Sequence, residues 1–200
     1  TRLVFESIRE ARPKRLYVAA DGPRVGRNEE NNCQLARLAA TSVDWPCDLT
    51  TLFRSDNLGC RAAVSSAISW FFDHEESGII LEDDCLPHPS FFAYSENLLE
   101  LYRHDQRVMA ISGDQFVPPS DSFSEYSHRF SDYTHVWGWA SWRRAWQHYD
   151  VEIRRWHHLR ESDWLSARLC SDTETNHWQD VFDAVCSGKI DTWDYQWLFA

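Results

Sequence analysis

The 200-residue chain lacks the features that mark a membrane-spanning or nucleic-acid-binding protein. No apolar run approaches the roughly 18 residues that a membrane-spanning helix needs. The formal net charge is −11, and there is no basic patch or RNA-module signature. A chain of this charge has little attraction for phosphate backbones, so nucleic acid is excluded as an expected partner.

Several catalytic signatures are missing as well. There is no P-loop, no G-x-G-x-x-G fingerprint and no G-x-S-x-G elbow, which argues against kinases, dinucleotide enzymes and Ser-His-Asp hydrolases. The 9 histidines include no H-x-x-x-H or H-E-x-x-H pair. A zinc site is therefore not expected.

The 6 cysteines lie far apart, with no C-x-x-C pair, and the chain has no N-x-S/T sequon. In a chain of this size such spacing favours reduced, mostly buried thiols over a disulfide framework. No signal peptide is visible. These observations predict a cytoplasmic protein.

Helical and strand-like patterns alternate along the first part of the chain. Apolar spacing predicts helices at 1–11, 28–43, 60–73 and 90–102, and strands at 16–20, 49–53, 79–81 and 108–112. Such alternation is typical of an α/β fold in which helices cover both faces of a mostly parallel sheet. The length makes one domain the default.

The alternation ends at residue 114. Residues 114–133 are polar and predict an irregular loop over the site, because bare connectors are rarely so long. Trp139, Trp142 and Trp146 fall at helical spacing, which indicates a buried helix face. Tryptophan faces can also pack against sugar rings, so that alternative stays open. A further helix is expected at 176–187.

The most informative stretch is 78–89, where a short apolar strand runs directly into Glu82, Asp83 and Asp84. Carboxylates crowded at the end of a buried strand are unfavourable unless a cation or hydrogen-bond donors meet them. Ligands of open α/β sheets bind at that end of the strands. The pattern therefore indicates Mg²⁺ or Mn²⁺ shared with substrate phosphates, with a solvated acidic turn as the alternative.

Three polar positions precede the acids. Asp21 ends the strand at 16–20 beside a Gly-Pro turn, and it either forms the turn or accepts a hydrogen bond from a ligand. Arg54 and Arg61 lie on either side of Asn57-Leu58-Gly59. Each arginine could direct positive charge toward a diphosphate or could form a surface ion pair.

Together these segments resemble the GT-A glycosyltransferases. The strand leading into residues 82–84 and then Pro-x-Pro-x-Phe-Phe is similar to the metal-binding segment of the inverting N-acetylglucosaminyltransferase I type, in which E-D-D replaces D-x-D. Three more segments agree in kind and order with those of the family. They are Asp21 after an early strand, residues 57–59 before a helix, and Trp137-Gly138-Trp139 after the acid triplet. The likeness covers residues 15–200 and also suits bacterial nucleotide-diphospho-sugar transferase-like proteins.

The resemblance implies one GT-A domain over 1–200, clipped at both ends and without its first strand. Residues 1–113 would bind the nucleotide-sugar, and residues 114–200 would form the acceptor side. The donor would be a UDP-sugar, with its diphosphate on Mn²⁺ or Mg²⁺. The resemblance implies that Asp84 is the metal ligand, that Glu82 and Asp83 face the sugar and ribose hydroxyls of the donor, and that Asp21 contacts the uracil. Asn57, with Arg54 and Arg61 on either side, would belong to the nucleotide-sugar site. Trp137, Gly138 and Trp139 would lie on the acceptor side.

An inverting transferase also needs a carboxylate that deprotonates the acceptor hydroxyl. In the family this base lies in a late Trp/Asp-rich segment, where Asp194 is the better match and Asp191 the second. Either acid could instead be a cap or a strand-end residue.

The sequence therefore predicts a metal-dependent, inverting glycosyltransferase of the hexosyltransferase type, with a carbohydrate or other hydroxyl acceptor. Two other functions stay open. A sugar nucleotidyltransferase needs a Gly-rich basic loop near the N-terminus, and none is visible. A non-catalytic carbohydrate-binding protein would depend on Trp137 or Trp139 and not on Asp84.

Overall fold

The computed structural model describes residues 1–114, 116 and 126–200. Helices and strands alternate in the first part: α1 (Arg2–Ala11), β1 (Arg15–Ala20), α2 (Glu30–Ala40), β2 (Asp48–Phe53), α3 (Gly59–His74), β3 (Ser77–Ile80), α4 (Ser90–Leu101) and β4 (Ala110–Ser112). The second part holds β5 (Trp139–Trp142), α5 (Arg143–Trp146), α6 (Trp156–Leu159), α7 (Asp172–Cys186) and α8 (Asp194–Phe199). The alternation predicted for the first part is confirmed, and the protein has a mixed α/β structure.

The strands form two sheets among the described residues. β1 and β2 pair in parallel over their full length, from Arg15 opposite Asp48 to Ala20 opposite Phe53, with α2 as the connection between them. The second sheet has the order β3-β5-β4, and β5 runs antiparallel to both neighbours. The prediction of a mostly parallel sheet is therefore wrong for this part, because β5 returns between β3 and β4.

Strand β5 also corrects the helix expected from the tryptophan spacing. Trp139 and Trp142 lie in the strand, and only Trp146 is helical. Alternate residues of a strand face opposite sides of a sheet. Accordingly Trp139 packs with Ile68, while Trp142 packs with the α4 side of the core. Because both faces of this central strand are covered, all four of its residues are buried and show no alternation of polarity.

Two cores lie on the two faces of the antiparallel sheet. Trp139, Trp146, Trp193 and Trp197 fill the space between the sheet and helices α3 and α8. Leu98, Leu99 and Ile111 fill the other face beneath α4. This packing fixes the ends of β3 and α8, which carry the acids described below.

The structure also bears on three features considered in the sequence: a membrane-spanning helix, the long loop and the cysteines. No helix in the described part of the chain is long and apolar enough to cross a membrane. Of the irregular loop expected at 114–133, residues 115 and 117–125 lie outside the described residues, and the described residues of this range contain no helix or strand. The cysteines are free but not mostly buried as predicted: Cys33, Cys47, Cys85 and Cys186 are half-buried, and Cys60 and Cys170 are exposed.

Candidate functional site

The loops that follow β1 and β2 meet at one edge, as the carboxyl ends of paired parallel strands must. The Asp21 carboxylate accepts the backbone N–H of Leu58, with N···O distances of 2.9 and 3.1 Å to its two oxygens. The Asn57 side-chain amide donates to the Gly22 carbonyl at 3.0 Å. The Gly22 N–H donates in turn to the Asp56 carbonyl at 3.2 Å. Asp21 and Asn57 therefore tie the two loops together.

The start of α3 is capped from the far end of the chain. The two Asp191 carboxylate oxygens accept the backbone N–H groups of Cys60 and Arg61, each at 3.1 Å. Gly59 begins the helix with φ +79°, and a Cβ there would lie 2.8 Å from Asp191 Oδ2. Glycine is thus required both by the backbone conformation and by the approach of Asp191. The carboxylate satisfies two of the N–H groups that a helix start leaves unpaired.

Glu82 lies where acids from two distant segments converge. It is half-buried, and the nearby Trp193 side chain partly offsets the rise in its pKa described next. Burial raises the pKa of Glu82, and the negative charges of Asp84, Asp194 and Asp83 raise it further. Asp194 is therefore close enough to Glu82 for their charges to interact, although 112 residues separate them in the sequence numbering.

The position of Asp194 is fixed by its neighbours in the chain. Asp194 is the first residue of α8, and the Thr192 hydroxyl donates to its carboxylate. Trp193 is only 2% exposed and stacks on Trp139, with ring centroids 5.7 Å apart. The Tyr149 hydroxyl donates to the Trp193 carbonyl at 3.1 Å. A buried tryptophan thus holds Asp194 beside Glu82.

The other two acids of the triplet differ in their surroundings. The Asp83 Oδ2 atom accepts the Thr1 hydroxyl at 2.8 Å, which holds this side chain against the start of α1. Asp84 is exposed, and its carboxylate accepts only the weak Cys85 thiol donor, at 3.6 Å, among the described residues. Asp83 and Asp84 are both exposed, and Asp84 is the one without a strong hydrogen-bond donor among the described residues.

The acids that follow β3, together with Asp194, suit a hard cation, but they do not form a complete metal site by themselves. No group of three or more His, Cys, Asp or Glu in the described residues is arranged to hold a metal ion. Mg²⁺ is commonly held by one or two carboxylates and completed by water and substrate phosphates. Burial raises the pKa of Cys85 to about 11 and also raises that of Cys60, so these thiols stay protonated near neutral pH and are poor ligands. The available ligands are carboxylate oxygens.

The two arginines have partners within the chain. The Arg54 guanidinium donates to the Ser66 hydroxyl at 2.6 Å, and its backbone carbonyl accepts the Arg37 guanidinium at the same distance. Arg61 lies 3.5 Å from the Glu152 carboxylate, which is the ion pair considered as its alternative role. Both side chains are half-buried.

Residues 137–139 separate into a core side and a solvent side. Trp139 is fully buried, so it has no ring face free for a ligand and serves to pack the core. Gly138, with φ +83°, turns the chain so that Trp137 is 65% exposed. Of the two tryptophans predicted on the acceptor side, the structure leaves only Trp137 accessible.

A cleft runs beside the acid cluster, with a volume of about 1350 Å³. Its walls include Leu81, which precedes Glu82, together with Trp137, Gly138 and Trp197 of α8. Asp114 also lines this cleft, and the sequence reading missed it. The available signal was an acid two residues after a predicted strand, which is close to the signal that singled out Asp21.

Comparison with known proteins adds no assignment, since no family model, curated protein or solved structure matched the chain. The functional interpretation therefore depends on the residues and on their arrangement.

Proposed function

We propose that the protein is a metal-dependent, inverting glycosyltransferase of the GT-A kind, which transfers a sugar from a UDP-sugar to an acceptor hydroxyl. One observation carries the proposal: Trp193 stacks on Trp139, which pairs with Ile80 at the end of β3, and this contact brings Asp194 near the acids that follow β3. The chemistry needs both a cation-binding acid and a separate base, and these come from the two segments that converge here.

The crowding of acids supports a cationic partner. Glu82 is half-buried among the charges of Asp84, Asp194 and Asp83, an arrangement that is unfavourable without positive charge. Asp84, an exposed acid without a strong hydrogen-bond donor among the described residues, would be the ligand of Mn²⁺ or Mg²⁺. When bound, the cation supplies Lewis-acid stabilisation of the leaving diphosphate.

Each remaining acid has a separate role in the proposal. Glu82 accepts hydroxyl groups of the donor sugar, and Asp83 does so through the oxygen that Thr1 leaves unoccupied. Asp194 is the general base that removes the proton of the acceptor hydroxyl. Asp191 is a positioning residue, because both of its oxygens cap α3. This division favours Asp194 over Asp191 as the base.

The loops after β1 and β2 suit a nucleotide. Asp21 and Asn57 hold these loops together, and in the proposal they contact the uracil and the diphosphate side of the donor. Arg54 and Arg61 lie beside the same loops and supply positive charge. The free state of all the cysteines supports a cytoplasmic location.

A second candidate is a carbohydrate-binding protein without catalysis. The observation that favours it is the exposed Trp137 on the cleft. Such a protein would bind saccharide with no dependence on nucleotide or metal. It gives no reason for Asp194 and Glu82 to lie together.

Transfer can be tested by incubating the protein with UDP-sugars, Mn²⁺ and a panel of saccharide acceptors while UDP release is measured. Asp194→Asn should lower turnover by about 10²-fold or more, the usual contribution of a general base, and should leave UDP binding unchanged. Asp180→Asn, an exposed position on α7, is the matched control. Turnover of Asp194→Asn at the wild-type rate would overturn this assignment.

A further inference from the structure

We propose that Asp114, His135 and the ring pair Phe116 and Trp137 form a saccharide site that binds a pyranoside through two adjacent hydroxyl groups. The identification of this saccharide as the acceptor rests on the proposed function. Saccharide binding itself does not depend on transfer.

The Asp114 carboxylate has no hydrogen-bond partner among the described residues. Asp114 follows β4 after one residue, Gly113, and both of its carboxylate oxygens are shielded from solvent. Burial raises its pKa, and the neighbouring charge of His135 partly offsets that shift. A shielded carboxylate without donors is costly, so a ligand that supplies hydroxyl donors gains the hydrogen bonds that the protein leaves unmade.

The position of Asp114 is built into the fold. The Ser112 hydroxyl donates to the His135 carbonyl at 2.6 Å and accepts the His135 N–H at 3.1 Å. The Gly113 N–H donates to the Gly138 carbonyl at 2.9 Å. A Cβ on Gly113 would lie 2.4 Å from the Phe91 ring, so only glycine fits between these segments. The end of β4 is thus locked against 135–138, which places Asp114 beside His135.

Aromatic rings stand next to the carboxylate and are open to solvent. The centroid of the Phe116 ring lies 4.9 Å from that of His135 and 5.4 Å from that of Trp137. The planes of the Phe116 and Trp137 rings meet at 75°. Trp137 is 65% exposed and Phe116 is 56% exposed. An exposed aromatic face beside a polar group suits an amphipathic ligand. A sugar ring has an apolar face for the rings and hydroxyl groups for Asp114.

The same cleft reaches the acid cluster. Leu81 and Trp197 line it together with Asp114. Leu81 immediately precedes Glu82, and Trp197 lies one helical turn after Asp194. A saccharide bound at Asp114 therefore borders the residues assigned to transfer.

The hydrogen-bonding capacity of Asp114 and His135 indicates which groups a ligand of this site must carry. A carboxylate can accept two hydroxyl donors side by side, and His135 can donate or accept depending on its protonation state. The site should discriminate sharply against a sugar that lacks one of the two hydroxyl groups, because a buried polar group would stay unpaired.

The test is ligand-detected NMR and titration with methyl pyranosides and their monodeoxy analogues, without nucleotide or metal. We expect at least one pyranoside to bind, its monodeoxy analogue to bind more weakly, and Asp114→Asn and Trp137→Ala each to weaken binding by about 10-fold or more. Asp180→Asn should bind as the wild type does. Asp114→Asn removes a charge that lacks donors, so its melting temperature should be unchanged or raised, which separates lost binding from lost folding.

Three results would overturn the site: no pyranoside binds, Asp114→Asn binds as tightly as the wild type, or the deoxy analogues bind equally well. UDP titration with Mn²⁺ on the same variants keeps the two proposals apart. Asp114-dependent saccharide binding without UDP binding would uphold the site and reject the transferase. Mn²⁺-dependent UDP binding without Asp114-dependent saccharide binding would do the reverse.

Discussion

Asp191 accepts the backbone N–H groups of Cys60 and Arg61 at 3.1 Å, although it lies 131 and 130 residues away from them in sequence. The backbone N–H group of Leu58, two residues before Cys60, donates to the Asp21 carboxylate. Carboxylates from both ends of the chain therefore meet at the start of α3. This arrangement gives Asp191 a structural role and leaves Asp194, whose charge acts on Glu82, as the candidate base.

Replacing Asp191 by alanine should destabilise the protein. The change leaves two N–H groups without their carboxylate, and the loss of a helix cap costs about 1–2 kcal/mol. Urea denaturation should show this decrease in the free energy of unfolding. Asp191→Asn should recover part of it, since an amide oxygen still accepts one bond. If Asp191→Ala unfolds at the same urea concentration as the wild type, the cap contributes nothing measurable.

Glu82 should make stability fall as the pH rises. Its folded-state pKa is raised above the ordinary value of 4.5, so the folded state binds more protons than the unfolded state in the interval between the two pKa values. The free energy of unfolding therefore decreases as the pH increases through that interval. Glu82→Gln removes the titration, so it should be more stable than the wild type near neutral pH.

Thermal unfolding of both proteins from pH 4 to pH 8 measures the effect. The advantage of Glu82→Gln should be smallest at the acid end, where the wild-type carboxyl is protonated, and should grow until Glu82 is fully ionised. Asp163→Asn, an exposed position, is the matched charge control. A difference that stays constant over the whole pH range would mean that Glu82 ionises normally.

The two tryptophans on either side of Gly138 should contribute very differently to the stability of the protein. Trp139→Ala removes a fully buried ring from the core and should cost about 3–5 kcal/mol. Trp137→Ala removes a ring that is 65% exposed and should change the free energy of unfolding little. Chemical denaturation of the two variants side by side makes the comparison. Similar losses from both would contradict the burial described for the two rings.

The sequence predicts those elements whose signals are local. The alternation of α1 to β4 follows from apolar spacing, and the bounds agree within a few residues. The strand β5 was not predictable because all four of its residues are buried, so it has no alternating pattern. Helix α7 begins earlier than expected, at Asp172, and the signal was present: the Ser171 side chain accepts the Glu174 N–H, as in a capping box.

The residues of the candidate site also divide into those with a local sequence signal and those without one. Asp21 and Glu82 could be proposed because each closely follows a predicted strand, although β1 and β3 belong to different sheets. The cap that Asp191 gives to α3 and the approach of Asp194 to Glu82 could not be foreseen, because each joins segments more than 100 residues apart in the sequence numbering. Such contacts depend on the packing of α8 against the tryptophan core.

The central claim is that a divalent cation and a diphosphate complete the acid cluster after β3. Calorimetric titration of UDP with and without Mn²⁺ tests it most directly, with GDP and CDP as controls for the base. We predict that Mn²⁺ tightens UDP binding by about 10-fold or more, equivalent to about 1.4 kcal/mol, and that Asp84→Ala abolishes this enhancement while Asp180→Asn keeps it. Equal UDP affinity with and without the metal would contradict the account.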